Sequence, residues 1–453
     1  MELSPERIYE DFSKKFIDKT SATKLLLSLI ESSEREEIRV ESIKKLNHIG
    51  VKDDESFKLL ENLVISDSNE TIRNTAAIVL RNNFIDKALE PVKWAFTHEE
   101  TPSCLDTTYS TLIEIITNLI NKPNSLNRSI LLTEVKAIRR KEFKLGFEAL
   151  CETKNIENVT IKELGEILIN FLTIILLEKS YWRLKYKIRN CKIFELDFIF
   201  KGLTKLPESI KYLSHINTLI LRYNQLTQLP DWIGTLNCLE TLNINVNNLN
   251  KLPPSIGTLS SLRELFLWKN ELNSLPNSIG KLVNLEKLNL RLNQLKSLPP
   301  TIVNLASLYD LNLHDNQLTH IPESIGNLKS LKYLNLSWNH IKMIPESLGY
   351  LPSLKFLDLE RNELRDIPNS IGFLSSLEYL NLSDNNLVEL PSSIGNLSSL
   401  QYLNISRNEL NSLPKSIESL KCLQELYLGE NNISSIPKKI RKLEDNGVKV
   451  FYS

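Results

Sequence analysis

The sequence has 453 residues, of which 42% are hydrophobic and 24% charged, and its 55 basic side chains equal its 55 acidic ones in number. This length exceeds what one compact core accommodates, so several domains or a solenoid are expected. The balanced charge excludes a global attraction to nucleic acid or to an anionic membrane and leaves only local patches to be considered.

The first residues do not resemble a secretory signal, because residues 1–7 contain no basic n-region and no apolar stretch follows them. The most apolar run, residues 167–177, is much shorter than the roughly 20 residues of a membrane span. The five cysteines are scattered and form no CxxC pair, which argues against a disulfide framework and a zinc site. We therefore expect a cytoplasmic protein without a membrane span.

The N-terminal part has few prolines, and its apolar residues recur at helical spacing. Isoleucine followed by arginine occurs at Ile38-Arg39 and again, 34 residues later, at Ile72-Arg73. Each pair follows a stretch that resembles a capping box, at 33–36 and 67–70. Paired helices with an arginine near the start of the second resemble HEAT or armadillo repeats. We predict an all-α, HEAT-like domain of helical repeats over residues 1–120.

Residues 121–183 are expected to complete this helical domain. A turn at 121–125 precedes an apolar helix at 164–177 and, between them, a basic helix with five cations, Lys136, Arg139, Arg140, Lys141 and Lys144. These cations support one alternative function, a nucleic-acid-associated protein. Glutamates at 134, 142 and 148 dilute the positive charge, so a solvated helix face is the favoured interpretation.

A 23-residue repeat organises the rest of the chain. Proline recurs at this interval from 207 to 437, and asparagine recurs from 224 to 431. One unit reads Leu285-x-x-Leu288-x-Leu290-x-x-Asn293-x-Leu295-x-x-Leu298-Pro299. The alternation places Leu288 and Leu290 on one face of a short strand, and that face is buried only when units stack.

Each recurring residue has an expected local role. The asparagine amide should bond backbone groups that would otherwise be buried without partners, and the proline should stop the strand and start a short convex segment. Upstream, residues 184–188 and the strand around Ile193 predict a hairpin across Asn190-Cys191 that covers the first edge. Residues 448–451 predict a last strand that caps the other end.

The pattern LxxLxLxxNxLxxLPxSIGxLxx resembles the leucine-rich repeats of cytosolic Ras-binding and Ras-suppressor scaffolds and of plant intracellular Ras-group proteins. The resemblance covers about residues 190–453. It implies an α+β repeat protein with a leucine-rich-repeat solenoid of about 11 repeats over residues 184–453 and a parallel concave sheet. It also implies a protein partner, with a small Ras-like GTPase or an associated phosphatase or kinase as the best candidates.

No phosphate-binding GxxxxGK[ST] loop, HExxH, GxSxG or kinase signature occurs in the sequence, so we expect no enzyme activity, metal or cofactor. The remaining candidate surface is the inner face of the solenoid, onto which side chains between the core leucines point. We predict that this face binds protein through Arg222, Phe266, Trp268, Arg291, His314, Asp315, Tyr333, Trp338, Phe356, Glu360, Arg361, Tyr379, Tyr402 and Arg407.

Two alternatives apply to parts of this surface. The aromatic residues at 333, 356, 379 and 402 are as consistent with stacking on one another as with binding, since neighbouring strands are about 4.8 Å apart. Trp268 and Trp338 are expected to be exposed and therefore to contact a partner. The favoured function is a scaffold or adaptor, and the alternatives are a nucleic-acid-associated protein and a regulatory subunit of a separately encoded enzyme.

Overall fold

The computed structural model describes residues 3–433 and 438–452. It consists of two compact units, Met1–Leu184 with Ile188–Ile193, and Lys185–Lys187 with Phe194–Ser453. Because residues of the predicted hairpin are divided between the units, the assignment of 184–453 to one domain stays a prediction.

Up to Leu184, the described part of the first unit is helical. Its α-helices are α1 (Pro5–Ser13), α2 (Lys19–Ser32), α3 (Glu36–Ile49), α4 (Asp54–Ser66), α5 (Glu70–Asn83), α6 (Leu89–His98), α7 (Pro102–Asn121), α8 (Ser125–Lys136), α9 (Lys141–Lys154) and α10 (Ile161–Ser180). A short 3-10 turn, Ile156–Asn158, precedes α10. Among the described residues, no helix combines the length and the apolar character needed to cross a bilayer.

The starts of α3 and α5 differ from the sequence prediction. The capping boxes expected at 33–36 and 67–70 are wrong, because the N-cap residues are Arg35 and Asn69. Arg35 makes no side-chain cap, whereas the Asn69 side chain accepts the N–H groups two and three residues further on. A reciprocal capping box forms instead at the start of α10.

Arginines at equivalent positions of α3 and α5 connect each helix to the C-terminal ends of neighbouring helices. Arg39 is paired with the Asp67 carboxylate and donates to the carbonyl oxygen of Ile30 at 3.0 Å. Arg73 donates to both carboxylate oxygens of Glu99, at 2.9 and 3.2 Å. The two arginines therefore play matched roles, while the HEAT-like class of this unit stays a prediction.

The rest of the chain forms a sheet in which sequence neighbours are also spatial neighbours. Its described strands are β1 (Lys185–Arg189), β2 (Lys192–Asp197), β3 (Thr218–Ile220), β4 (Thr241–Asn243), β5 (Glu264–Phe266), β6 (Lys287–Asn289), β7 (Asp310–Asn312), β8 (Tyr333–Asn335), β9 (Phe356–Asp358), β10 (Tyr379–Asn381), β11 (Tyr402–Asn404), β12 (Glu425–Tyr427) and β13 (Lys449–Phe451). Strands β2 to β13 pair in parallel.

Both ends of the sheet contain the predicted strands. The hairpin of β1 and β2 turns at Asn190 and Cys191, whose φ values of 50° and 61° are those of a type I′ turn. At the other end β13 follows a helix that the sequence analysis did not predict, α11 (Lys438–Asp445). That the two ends act as caps stays a prediction.

The leucines of the repeat form one continuous core. Leu288 and Leu290 are buried, and Leu288 lies in register with Leu311 of the next strand. The return path of each repeat contains a short 3-10 segment; these outer segments are Glu208–Tyr212, Asp231–Thr235, Pro254–Thr258, Asn277–Lys281, Pro300–Asn304, Ile325–Asn327, Glu346–Tyr350, Asn369–Phe373, Ser392–Asn396 and Lys415–Ser419. All except Ile325–Asn327 begin directly after the repeating proline, as predicted; Pro437 lies outside the described residues.

Candidate protein-binding surface

The open face of the sheet, opposite the leucine core, is supported by the asparagines that recur from 224 to 431, here called the ladder asparagines. The buried Asn316 amide donates to the carbonyl oxygens of Leu290 and Leu313, at 3.0 and 3.1 Å. Its side-chain oxygen accepts the N–H of Leu295 at 3.0 Å. Since Leu290 and Leu295 belong to the preceding repeat, each such asparagine joins two repeats, and its predicted bonding role is confirmed.

The residue before each ladder asparagine has a left-handed backbone, and these residues are called the left-handed row. From Tyr223 to Glu430 their φ values lie between 52° and 59°. This conformation costs L-residues about 1–2 kcal/mol each. Main-chain bonds to the next repeat offset it: the Trp338 N–H, for example, donates to the carbonyl oxygen of Glu360 at 2.8 Å. The sequence analysis did not predict this conformation.

A second polar row lies at the end of the central strands. The side-chain oxygen of Asn312 accepts the N–H of His314, and that of Asp358 accepts the N–H of Glu360, both at 3.0 Å. The same bond to the residue two positions on forms at positions 289, 335, 381 and 404. This row therefore orients the residues two positions further on. The residues at that position, here called the exit row, are 222, 245, 268, 291, 314, 337, 360, 383 and 406.

Three predicted binding residues come together around Trp338, whose side chain is 42% exposed. The guanidinium carbon of Arg361 lies 4.0 Å from the centroid of the indole ring, and the His314 ring centroid lies 6.1 Å away. Burial, with a smaller contribution from Arg291, lowers the pKa of His314. A neutral histidine, a cation and an exposed indole thus share one part of the surface.

The charged side chains beyond Trp338 form salt bridges with one another along the left-handed row. Asp384 lies 3.9 Å from Nε of Arg361 and 3.6 Å from a terminal nitrogen of Arg407. Arg407 also pairs with Glu430 at 3.0 Å. Such partly exposed pairs contribute at most about 1 kcal/mol each. They also place a carboxylate beside the Arg361 guanidinium that covers Trp338.

The aromatic residues of the predicted surface form a stacked ladder. Ring centroids are 4.4 Å apart between Phe356 and Tyr379 and 4.3 Å apart between Tyr379 and Tyr402, with interplanar angles of 11° and 7°. The ladder continues through Tyr427 to Phe451. This arrangement supports the structural alternative for these residues, since each ring covers the next. Tyr333 lies in register beside Phe356 and is 44% exposed.

The remaining predicted residues lie on earlier strands and differ in exposure. Trp268 is half-buried, and its indole nitrogen is buried without a hydrogen-bond partner among the described residues, so the expectation that it is exposed is wrong. Phe266 is also half-buried, whereas Arg222 and Arg291 are exposed. Asp315 is half-buried in the left-handed row beside His314.

The basic region that suggested nucleic-acid binding is not one helix. Lys136 ends α8 and Lys141 begins α9, so the cations are distributed over two helices and the turn between them. Both terminal nitrogens of Arg140 donate to Glu178, at 2.7 and 2.9 Å. The prediction of a continuous basic helix face is therefore wrong, and two of its five cations are already paired, because Lys144 also lies 3.9 Å from the Glu148 carboxylate.

The comparison with known protein families matches the repeats. The family described as a leucine-rich repeat region matches residues 255–338, 320–401 and 369–445. Among curated proteins none matches significantly. A leucine-rich-repeat protein of Leptospira interrogans is 32% identical over 56% of this chain and 82% of its own, with a TM-score of 0.33.

Two further solved structures are similar to the repeat region. The structure titled PEPR1-AtPEP1 is 27% identical over 62% of this chain, with a TM-score of 0.52. The leucine-rich-repeat ectodomain of GASSHO1/SCHENGEN3 from Arabidopsis thaliana is 27% identical over 58% of this chain, with a TM-score of 0.49. The chain spans 48% and 38% of the length of these two, respectively.

Proposed function

We propose that this chain, a leucine-rich repeat protein, is a non-enzymatic scaffold or adaptor that binds other proteins on the open face of its sheet. The observation that carries the proposal is the exposed indole of Trp338 beneath the Arg361 guanidinium, 4.0 Å from the ring centroid. Tryptophan and arginine are the residue types that contribute most to protein interfaces, commonly at least 2 kcal/mol per truncated side chain.

The geometry around Trp338 supports this role physically. A guanidinium over an indole face gains about 0.5–1 kcal/mol when exposed and more when water is excluded, so a covering partner strengthens the contact. Arg361 is already oriented through Asp384, which reduces the entropy lost on binding. The adjoining aromatic ladder offers a flat, half-exposed apolar strip on which such a partner can rest.

The resemblance to Ras-binding scaffolds suggests the class of partner. We propose a small Ras-like GTPase, or a phosphatase or kinase associated with one, as the first candidates, in a cytoplasmic setting. The stacked, preorganised surface favours binding with little rearrangement of the sheet.

The test is affinity capture with the full chain, read by mass spectrometry. A double variant, Trp338→Ala with Arg361→Ala, should bind the proteins captured by the wild type at least about 30-fold more weakly. The matched control is Lys329→Ala with Lys415→Ala, since both lysines are exposed on the outer segments or beside them. Unchanged capture by a folded Trp338/Arg361 variant, with a wild-type urea midpoint, would show that the open face is not the binding surface.

A further inference from the structure

Charge is unevenly distributed over the exit and left-handed rows. In the later repeats the charges of the left-handed row pair among themselves, from Arg361 through Asp384 and Arg407 to Glu430. In the repeats of β3 to β6, the cations of these two rows form no salt bridge with any residue that the structure describes. The unpaired charges are therefore the ones that remain available to pair with a binding protein.

The unpaired cations lie in the repeats of β3 to β6. Arg222 and Arg291 belong to the exit row and Lys269 to the left-handed row, and all three side chains are exposed. None of them forms a salt bridge with any of the residues that the structure describes. Since His314 in the next repeat has a lowered pKa, it does not extend this positive region at neutral pH.

The unpaired carboxylates lie in the repeats of β7 to β9. Asp315 and Glu360 are half-buried, and Asp358, directly below Glu360, is only 8% exposed. In residues 3–433 and 438–452 no lysine or arginine lies within salt-bridge distance of these three carboxylates. The Asn381 amide approaches Glu360 at 3.5 Å, which is a weak neutral contact. Desolvated carboxylates without a cation are costly, so an external cation would be stabilising here.

We propose that the open face binds an extended peptide segment whose charges change from acidic, over β3 to β6, to basic, over β7 to β9. The inference rests on the proposed function and specifies the partner's chemistry. From β3 to β9 is six strand spacings, about 29 Å, which an extended segment of about nine residues spans. Complementary charges fix the orientation and register of the segment, and Trp338, beside the carboxylates, provides its apolar anchor.

A nucleic acid fits this surface less well than a peptide. Its phosphates would match Arg222, Lys269 and Arg291 but would be repelled by the carboxylates that follow along the same rows. An extended peptide segment can change the sign of its charge within nine residues, whereas a phosphate backbone is uniformly negative.

The experiment is selection from a displayed library of random 12-residue peptides on the immobilised full chain. The peptides selected should have aspartate or glutamate towards one end and lysine or arginine towards the other. Reversing the positive region with Arg222→Glu and Arg291→Glu should weaken these peptides at least tenfold. Selection on that variant should yield peptides that are basic at both ends. The control, Lys329→Glu with Lys415→Glu, should leave binding unchanged.

Each other outcome is decisive. Peptides that lose binding with Trp338→Ala but show no charge segregation, or ignore the Arg222/Arg291 reversal, overturn this inference and leave the proposed function standing. Peptides indifferent to both variants count against both ideas. Failure to enrich any peptide overturns the inference. The affinity-capture experiment then tests the proposed function by itself. Displacement of the peptides by a single-stranded DNA of 20 nucleotides would identify the positive region as a polyanion site instead.

Discussion

Gly349 and Ser370, one repeat apart, approach so closely that a Cβ at Gly349 would lie 2.1 Å from the carbonyl oxygen of Ser370. The glycines at 234, 257, 280, 326, 372 and 395 have the same relationship to the next repeat, at 2.2 to 2.5 Å. Where Val303 replaces the glycine, the following outer segment is shortened to Ile325–Asn327, whereas Lys211 at the same register position precedes a full-length segment, Asp231–Thr235. The glycine therefore sets the spacing of the outer segments and is not required for a turn.

Gly349→Ala should consequently destabilise the sheet unit. The added methyl group meets backbone, which moves only with the whole repeat, so we expect a loss of about 1–3 kcal/mol in the free energy of unfolding. Urea denaturation of the full chain measures it. Val303→Ala is the matched control, since a Cβ is already accommodated there, and equal losses in the two variants would contradict the spacing argument.

Asn316→Ala tests the ladder asparagines. The substitution removes the partners of two buried carbonyl groups and of the Leu295 N–H, and should cost about 1–3 kcal/mol. The control is Gln317→Ala, an exposed neighbour that should shift the urea midpoint by less than about 0.5 kcal/mol. If Asn316→Ala behaved like Gln317→Ala, the asparagine would be only a surface residue.

The sequence was sufficient to predict the repeats because leucine, asparagine and proline recur every 23 residues, each as a residue type suited to its role. Asn316 bonds groups in its own and the preceding repeat, a role that follows from its residue type and its place after the strand. The spacing role of Gly349 was not predictable in the same way, because it depends on the distance between segments that are one repeat apart.

The candidate surface was predicted in part. The 23-residue register was enough to place Trp338 and Arg361 in adjacent repeats beside the row that contains His314, and the structure brings the three together. Exposure was not predictable from this register, since Trp268 is half-buried and its indole nitrogen is buried. The left-handed conformation was also missed, because residues as different as Val246 and Trp338 adopt it and leave no common side-chain signal.

Val246→Asn should stabilise the protein. Valine at φ 56° is a β-branched residue in a conformation that asparagine tolerates far better. We expect the free energy of unfolding to rise by about 1 kcal/mol, measured as a higher urea midpoint with an unchanged slope. At Val283, which is exposed and whose backbone is not left-handed, the same substitution should have little effect. A gain at Val283 equal to that at Val246 would point to a cause other than backbone strain.

Asp358→Asn should stabilise the protein at neutral pH but not in acid. Burial, reinforced by the Glu360 carboxylate, raises the pKa of Asp358 from 3.8 to about 6. Below about pH 4 the carboxyl is protonated in both the folded and the unfolded chain and causes no penalty. Between about pH 4 and 6 only the unfolded chain ionises, so stability falls, by about 3 kcal/mol in total, and the penalty is complete above pH 6.

Asparagine at 358 removes this penalty and retains the acceptor for the Glu360 N–H, as Asn312 and its equivalents do in their own repeats. Urea midpoints at pH 4, 5, 6 and 7 should therefore show a gain that grows with pH. Asn381 and Tyr379 face the same carboxyl from β10, so Glu360→Gln, which removes only the neighbouring charge, should recover part of the gain. Equal stabilisation at pH 4 and pH 7 would show that shape and not charge is responsible.

If the carboxylate serves to bind a partner's cation, the stabilised Asp358→Asn variant should also bind the selected peptides more weakly, a loss of function in exchange for stability.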